Sequence, residues 1–151
     1  MKRIFALVIG LLLTLSIIPV TAEEVQLSFT MWDEEQSPVI QENIDKFNEL
    51  HKGEINVKLE LVPWSDFWTK LDASLPTGDA ADVMWMNVYV TKYAPADLLL
   101  PLDELIAAEN FDLSQYIQGK VDGFTVDGKL YALPKGLDSV FVAYNTEIFD
   151  R

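Results

Sequence analysis

The residues best suited to chemistry in this sequence are aromatic and acidic ones at the ends of predicted strands. Tryptophan occurs at positions 32, 64, 68 and 85. Trp32 and Trp64 directly follow predicted strands, and the carboxyl ends of strands line the ligand crevice of an open α/β sheet. An indole packs well on the C–H face of a pyranose, whose hydroxyls Asp, Glu and Asn can bind. The pattern indicates a carbohydrate site, and closure of the sheet end is the structural alternative.

Polar residues also lie next to predicted strands. Glu34 lies in the acidic run after the first strand, Asn87 ends the third, and Asp138 precedes a further apolar strand. Each also has a structural interpretation, as part of a solvated loop for Glu34 and as a cap or turn for Asn87 and Asp138. Trp68 and Trp85 are expected to lie in the core.

The composition excludes several kinds of site. The 151 residues contain no Cys and one His, so disulfides, thiolate-bound metals and thiol nucleophiles are absent. The glycines do not have the spacing of a dinucleotide fingerprint or a P-loop. We therefore expect no cofactor and no metal, although an oxygen-ligated calcium site stays formally possible and a catalytic carboxylate pair among the 24 Asp and Glu stays open.

The first 22 residues are typical of a secretory signal peptide. Lys2 and Arg3 precede an apolar run at 4–18, and Pro19 ends that run before Ala22, where cleavage is expected. A membrane anchor is the alternative, but this run is shorter than the roughly 20 residues that a span needs. We predict a periplasmic protein.

The charge of the remaining 129 residues argues against two kinds of partner. They carry nine basic and 24 acidic side chains, a formal net charge of −15. A surface this negative repels phosphate groups, so we expect no nucleic-acid partner and no docking on anionic lipid.

Alternating strand and helix patterns predict the architecture that positions these residues. Period-2 patterns indicate strands at 25–30 and 55–62, and an apolar run indicates a covered central strand at 82–87. One helix is predicted from Ser37, as N-cap, to a stop at Gly53, and a second ends near Gly78. The pattern predicts an open, mostly parallel α/β sheet with helices on both faces.

The remainder of the chain shows weaker patterns. Short helical pieces are predicted over residues 88–121, and Asp127-Gly128 predicts a two-residue hairpin turn. A strand is predicted at 140–144, and Asn145 is a candidate cap for a last helix.

Several segments together resemble the extracellular solute-binding proteins of ABC importers, in particular the carbohydrate-binding group. The segments that carry the resemblance are residues 30–32 (TMW), 77–87 (TGDAADVMWMN), 98–102 (LLLPL), 127–134 (DGKLYALP) and 143–149 (AYNTEIF). The last two, in this order and spacing, are the most specific.

The resemblance implies a two-lobed protein of the type II periplasmic binding fold that closes on a sugar and presents it to permease subunits in the membrane. It implies no catalysis and a monomer at full length. By correspondence, Trp32, Glu34, Asn87 and Asp138 are ligand contacts, and Trp64 is added from its strand-end position. On this interpretation residues 23–139 form most of a truncated first lobe, and residues 140–151 begin the crossover to the second.

Two other functions remain open from the sequence. One is a secreted carbohydrate-active enzyme with paired carboxylates. The other is a ligand-sensing module that takes no part in transport.

Overall fold

The computed structural model describes residues 23–136 and 142–149. The predicted signal peptide, Asp138 and the start of the strand predicted at 140–144 lie outside these residues. The chain divides into two compact units. The first holds residues up to Thr69 together with Ala81–Met84, and the second holds Lys70–Ala80 and the residues from Trp85 onward.

The first unit is built on a three-stranded parallel sheet. Its strands are β1 (Val25–Met31), β2 (Ile55–Leu61) and β3 (Val83–Met84), in the order β2-β1-β3. β1 pairs with β2 along its whole length, from Val25 opposite Ile55 to Met31 opposite Leu61. The mixed helix and parallel-sheet architecture predicted from the alternating pattern is confirmed.

Helix α1 (Ser37–Leu50) connects β1 to β2. Ser37 was expected to be the N-cap, but Gln36 holds that position, and the Ser37 hydroxyl donates to the Glu34 carbonyl at 2.9 Å. Ile44 is the buried residue of the helix, whereas Leu50 is 82% exposed. Val39 near the start of the helix is also exposed, so the apolar stripe seen in the sequence is covered at its centre and open toward both ends.

The side chain of Asn48 on α1 binds the free edge of β2. Its amide nitrogen donates to the Val57 carbonyl at 2.9 Å, and its oxygen accepts from the Val57 N–H at 2.7 Å. Because β2 is an outer strand of the sheet formed by the described residues, these backbone groups have no neighbouring strand there to pair with. Asn48 supplies both missing partners.

Strand β3 is shorter than predicted, two residues instead of the six at 82–87. Asp82 is not part of the ladder, because its Oδ2 accepts from the Ser28 N–H at 2.8 Å and from the Ser28 hydroxyl at 2.7 Å. Phe29 and Thr30 then pair with Val83 and Met84. The side chain of Asp82 fixes where β3 begins on β1.

Helix α2 (Trp64–Ser74) follows β2 and ends in a 3-10 turn at Leu75–Thr77. Gly78 closes this turn with a φ of 76°, in the left-handed region that favours glycine. The stop predicted from the Pro-Thr-Gly sequence is confirmed.

Beyond the end of α2 and its 3-10 turn, the described residues of the second unit form short helices and one hairpin, as predicted. The helices are α3 (Val90–Tyr93), α4 (Asp103–Ala108), α5 (Gln118–Gly123) and α6 (Thr146–Phe149), with 3-10 turns at Ala94–Ala96 and Leu113–Gln115. Asn145 precedes α6, and its oxygen accepts from the Ile148 N–H at 3.3 Å, which confirms the predicted cap. Residues 142–145 form no strand.

The hairpin of β4 (Thr125–Val126) and β5 (Lys129–Leu130) is antiparallel, as the Asp-Gly dipeptide predicts. Asp127 and Gly128 have φ angles of 50° and 79°, both positive, which is the type I′ geometry. The Leu130 carbonyl accepts from the Leu102 N–H at 2.7 Å, and the Leu130 N–H donates to the Asp103 carboxylate at 3.0 Å. The hairpin is thus fixed to the start of α4.

Tyr93 is the most deeply buried large side chain of the second unit, with 2% exposure. Its hydroxyl donates to Asp72 at 2.9 Å, and Lys92 donates to the same carboxylate. Burial, together with Asp72, raises the pKa of the Tyr93 hydroxyl far above its usual range.

None of the helices in the described ranges is long and apolar enough to cross a membrane.

Candidate functional site

Four aromatic rings meet at the carboxyl end of the first unit's sheet. Trp32 lies 5.2 Å from Trp64, 5.0 Å from Phe67 and 5.5 Å from Trp68, measured between ring centres. Trp64 and Trp68 are 5.4 Å apart. We call these four residues the aromatic cluster.

The sequence builds this cluster from two strand ends. Because β1 and β2 are parallel, their carboxyl ends lie at the same edge, where the Val62 N–H donates to the Met31 carbonyl at 2.9 Å. Trp32 follows that point on one strand, and α2 begins with Trp64 shortly after the other. Phe67 and Trp68 follow Trp64 at the i+3 and i+4 positions of the helix, so the three rings share one face.

The members of the aromatic cluster differ strongly in exposure. Phe67 is 2% exposed and forms the base of the cluster, whereas Trp64 is 52% exposed. Trp32 and Trp68 are partly buried. Trp32 stands at 77° to Trp64, so the two indoles form a corner with an accessible face. A half-exposed tryptophan supported by other rings is suited to stacking on an apolar ring face.

The acidic loop after β1, residues 33–35, directly follows Trp32 of this cluster. Asp33 Oδ1 accepts from the Gln36 N–H at 2.9 Å, which turns the loop toward α1. The side chains of Glu34 and Glu35 are exposed. Glu34 is therefore accessible in a short loop adjoining Trp32.

Asn87 belongs to the second unit. Its Oδ1 accepts from the Tyr89 N–H at 2.9 Å and so caps the turn before α3. The cap or turn role considered for Asn87 is present, and the partly buried side chain keeps its amide nitrogen for other bonds. Of the five predicted site residues, the structure brings Trp32 and Trp64 together, with Glu34 in the adjoining loop, and Asp138 lies outside the described residues.

Trp85 of the second unit is buried, as the core interpretation predicts. The Lys135 ammonium lies 3.5 Å from the centre of its ring, a distance suited to a cation–π interaction. Since a cation occupies a face of Trp85, we assign it a structural role.

Ser28 and Asp82 form the most clearly perturbed polar pair in the first unit. Hydrogen bonds from the Ser28 backbone N–H and from its hydroxyl lower the pKa of the Asp82 carboxyl. The Ser28 hydroxyl oxygen also accepts from the Asp82 N–H at 3.1 Å. This pair could not be predicted from the sequence, because no local pattern relates positions 54 residues apart.

The described residues contain no group of three or more His, Asp or Glu side chains placed to hold a metal ion. Phe67 and Trp68 were not predicted to support the site. The helical spacing of positions 64, 67 and 68 is a signal that could have identified them.

Comparison with known proteins shows the family. The model of the bacterial extracellular solute-binding protein family matches residues 32–151. The maltotriose-binding protein of Pyrococcus abyssi (strain GE5 / Orsay) is 30% identical over 84 residues, which cover 55% of this chain and 18% of that protein.

Solved structures give the same fold. The sugar-binding protein MalE of Xanthomonas citri is 25% identical with a TM-score of 0.66, over 73% of this chain and 28% of that chain. A periplasmic oligogalacturonide-binding protein of Yersinia enterocolitica is 26% identical with a TM-score of 0.63, over 71% and 26%. Two further matches, each 26% identical, are de novo designed esterases.

Three curated relatives match this chain over 94% of its residues. The matched region is 35% of each relative, so the chain spans about a third of their length. The fold is that of the type II periplasmic binding proteins. The match to the family model covers most of the sequence, from the aromatic cluster to the last residue. The chain therefore belongs to the bacterial extracellular solute-binding protein family.

Proposed function

We propose that the protein containing this chain is the substrate-binding component of an ABC importer. It binds a sugar or oligosaccharide in a cleft between two lobes and delivers it to the permease subunits in the membrane. Family membership and the sugar ligands named for its relatives support this proposal.

The observation that carries the proposal is the corner of Trp32 and Trp64. An exposed indole at the carboxyl end of a parallel sheet lies where open α/β folds bind ligands. Trp64 leaves half of its surface in water, although it packs on Trp32 and Trp68, which in turn pack on the buried Phe67. A protein gains nothing in core packing from that exposed surface, whereas a pyranose face can stack on it.

Each proposed contact has a chemical role. Trp32 and Trp64 contact the sugar through their aromatic rings, and Glu34, Asn87 and Asp138 bind hydroxyls. Carboxylate and amide groups suit this role, because each can exchange paired hydrogen bonds with neighbouring hydroxyls. The ligand leaves chemically unchanged, and no cofactor takes part.

The organisation of the whole protein follows from the same proposal. Residues 1–22 are a signal peptide cleaved near Ala22, so the protein acts in the periplasm. Residues 23–139 form most of the first lobe, and residues 140–151 begin the crossover to the second. The full-length protein is a monomer.

A sugar panel tests the proposal on the full-length protein. Tryptophan fluorescence and calorimetry should detect at least one mono- or oligosaccharide, and Trp64→Ala should weaken that binding about tenfold through loss of stacking. Phe47→Ala is the matched control, because Phe47 lies near the end of α1, toward the amino-terminal edge of the sheet, and should keep wild-type affinity. A response to amino acids or polyamines with none to sugars would overturn the proposal.

Product analysis separates binding from catalysis. Incubation with the bound oligosaccharide should return it unchanged. Cleavage that Asp138→Asn abolishes would instead establish a carbohydrate-active enzyme with paired carboxylates.

A further inference from the structure

The right-angled corner of Trp32 and Trp64 favours a particular kind of sugar. The two indole planes meet at 77° with their centres 5.2 Å apart. A pyranose that lies flat on one indole therefore presents its equatorial edge to the other. Hydroxyls on that edge gain little from an aromatic face, whereas an ammonium gains a cation–π interaction. The second indole is a poor partner for a neutral sugar and a good one for a cationic sugar.

The corner is also held rigidly. Trp32 packs at 81° on Phe67 and at 44° on Trp68, and Trp64 packs at 86° on Trp68. These contacts fix the angle before any ligand arrives. Binding therefore needs little ordering of side chains.

Acidic side chains predominate in the segments that hold the corner. Residues 25–45 and 59–69 contain seven Asp and Glu and no Lys or Arg, and Lys46, Lys58 and Lys70 directly border these segments. Glu34, Glu35 and Asp66 are exposed, and none of them forms an ion pair with any residue in the described part of the chain. The net charge of −15 without the predicted signal peptide adds a long-range attraction for cations.

We propose that the sugar bound at this corner carries a protonated amine, as in an oligosaccharide of glucosamine. This inference rests on the proposed sugar-binding function and adds the charge of the ligand to it. One indole takes the ring face, the other faces the ammonium, and the surrounding carboxylates attract it.

Calorimetry on the full-length protein at pH 6 tests this inference with three probes. They are a glucosamine tetramer, which is cationic, an N-acetylglucosamine tetramer, which is neutral, and a galacturonic acid tetramer, which is anionic. We expect the glucosamine tetramer to bind about tenfold more tightly than its acetylated counterpart. This ratio should fall when sodium chloride is raised from about 10 to 300 mM, because salt screens exposed charges.

Variants that remove charges test whether the carboxylates near the corner cause the preference for the glucosamine tetramer. The double variant Glu35→Gln/Asp66→Asn should reduce the ratio between the two tetramers. The control Glu49→Gln/Glu54→Gln, which removes two charges from the end of α1 and the turn that follows, should preserve it.

The outcomes separate the two proposals. Equal binding of the three tetramers, or tightest binding of the galacturonic acid tetramer, overturns the amino-sugar inference and leaves sugar binding intact. Binding of no sugar in the panel overturns both.

Discussion

Asp82 shows how one side chain sets the geometry of a strand. Its carboxylate occupies the position where a longer β3 would continue its ladder with β1, and it accepts two hydrogen bonds from Ser28. These bonds lower its pKa, so the charged form is favoured in the folded state. A carboxyl with a lowered folded pKa stabilises the fold above its unfolded pKa, and this contribution disappears as the pH falls.

Asp82→Asn should therefore lower the free energy of unfolding by about 1 kcal/mol at pH 6, a value reduced for the exposure of the group. At pH 3, below the ordinary pKa of about 3.8, the difference from wild type should become smaller. Urea unfolding at the two pH values measures this change. A difference that grew on acidification would contradict the assignment.

Phe67 and Trp64 should respond differently to truncation. Phe67→Ala removes the buried base of the aromatic cluster and should cost about 3 kcal/mol or more, because it leaves a cavity. Trp64→Ala should cost about 1 kcal/mol, since half of the side chain is already in water. Chemical denaturation followed by far-ultraviolet circular dichroism compares the two, and equal losses would show that Trp64 acts mainly in packing.

Part of this site could be predicted from sequence. Trp32 and Trp64 follow adjacent parallel strands, whose ends share one edge, so their proximity follows from topology alone. The right angle between the rings could not be predicted, because it depends on how Phe67 and Trp68 pack behind them. The cap at Asn87 was one of two roles that its position allowed.

At the scale of elements, Asn48 protects an edge strand. It satisfies both backbone groups of Val57 on the outer side of β2. An unsatisfied edge can pair with another chain, so this contact guards against association as well as stabilising the fold.

Asn48→Ala should lower the free energy of unfolding by about 1 kcal/mol, because water can replace only part of the lost bonding. It should also increase concentration-dependent association. Asn43→Ala, an exposed position on the same helix, is the control and should leave association unchanged and the free energy of unfolding unchanged or slightly higher, because Ala is a better helix former. Denaturation and sedimentation velocity provide the two measurements, and identical behaviour of both variants would contradict the edge-protection role.

The hairpin turn offers a second test at this scale. Gly128→Ala places a side chain at a φ of 79° and should cost about 1 kcal/mol through backbone strain, although no atom lies within 4 Å of the new Cβ. Gly119→Ala in α5, where φ is ordinary and the space is also open, should be neutral or stabilising. Thermal unfolding compares the two, and an equal effect would exclude strain as the cause.

The presence and order of the helices and strands could be predicted better than the residues at which they begin and end. Strands β1 and β2 and helices α1 and α2 follow from hydrophobic periodicity, since their core faces leave a local signal. The start of β3 at Val83 depends on Ser28, and the Gln36 cap of α1 depends on the acidic loop, and both contacts lie outside the element's own segment. The exposed Leu50 shows that an apolar stripe predicts which face of a helix packs on the core, but not which residues of that face are covered.

At the scale of the molecule, the dominant property is negative charge. With 24 acidic and 11 basic residues, the chain repels itself when compact. Raising sodium chloride from about 10 to 300 mM near pH 7 should raise the melting temperature by a few degrees, because screening weakens this repulsion. Near pH 4, where carboxylates begin to be protonated, the same salt increase should have a smaller effect. A melting temperature that fell with salt at pH 7 would contradict the charge argument.

The aromatic cluster also makes the protein its own optical probe. Three indoles with centres 5.2 to 5.5 Å apart are close enough for their electronic transitions to couple, which splits their absorption into paired circular dichroism bands of opposite sign. The sign and size of that couplet depend on the angles between the rings. The couplet therefore records whether the geometry of the corner is intact, in any variant and without an added label or a ligand.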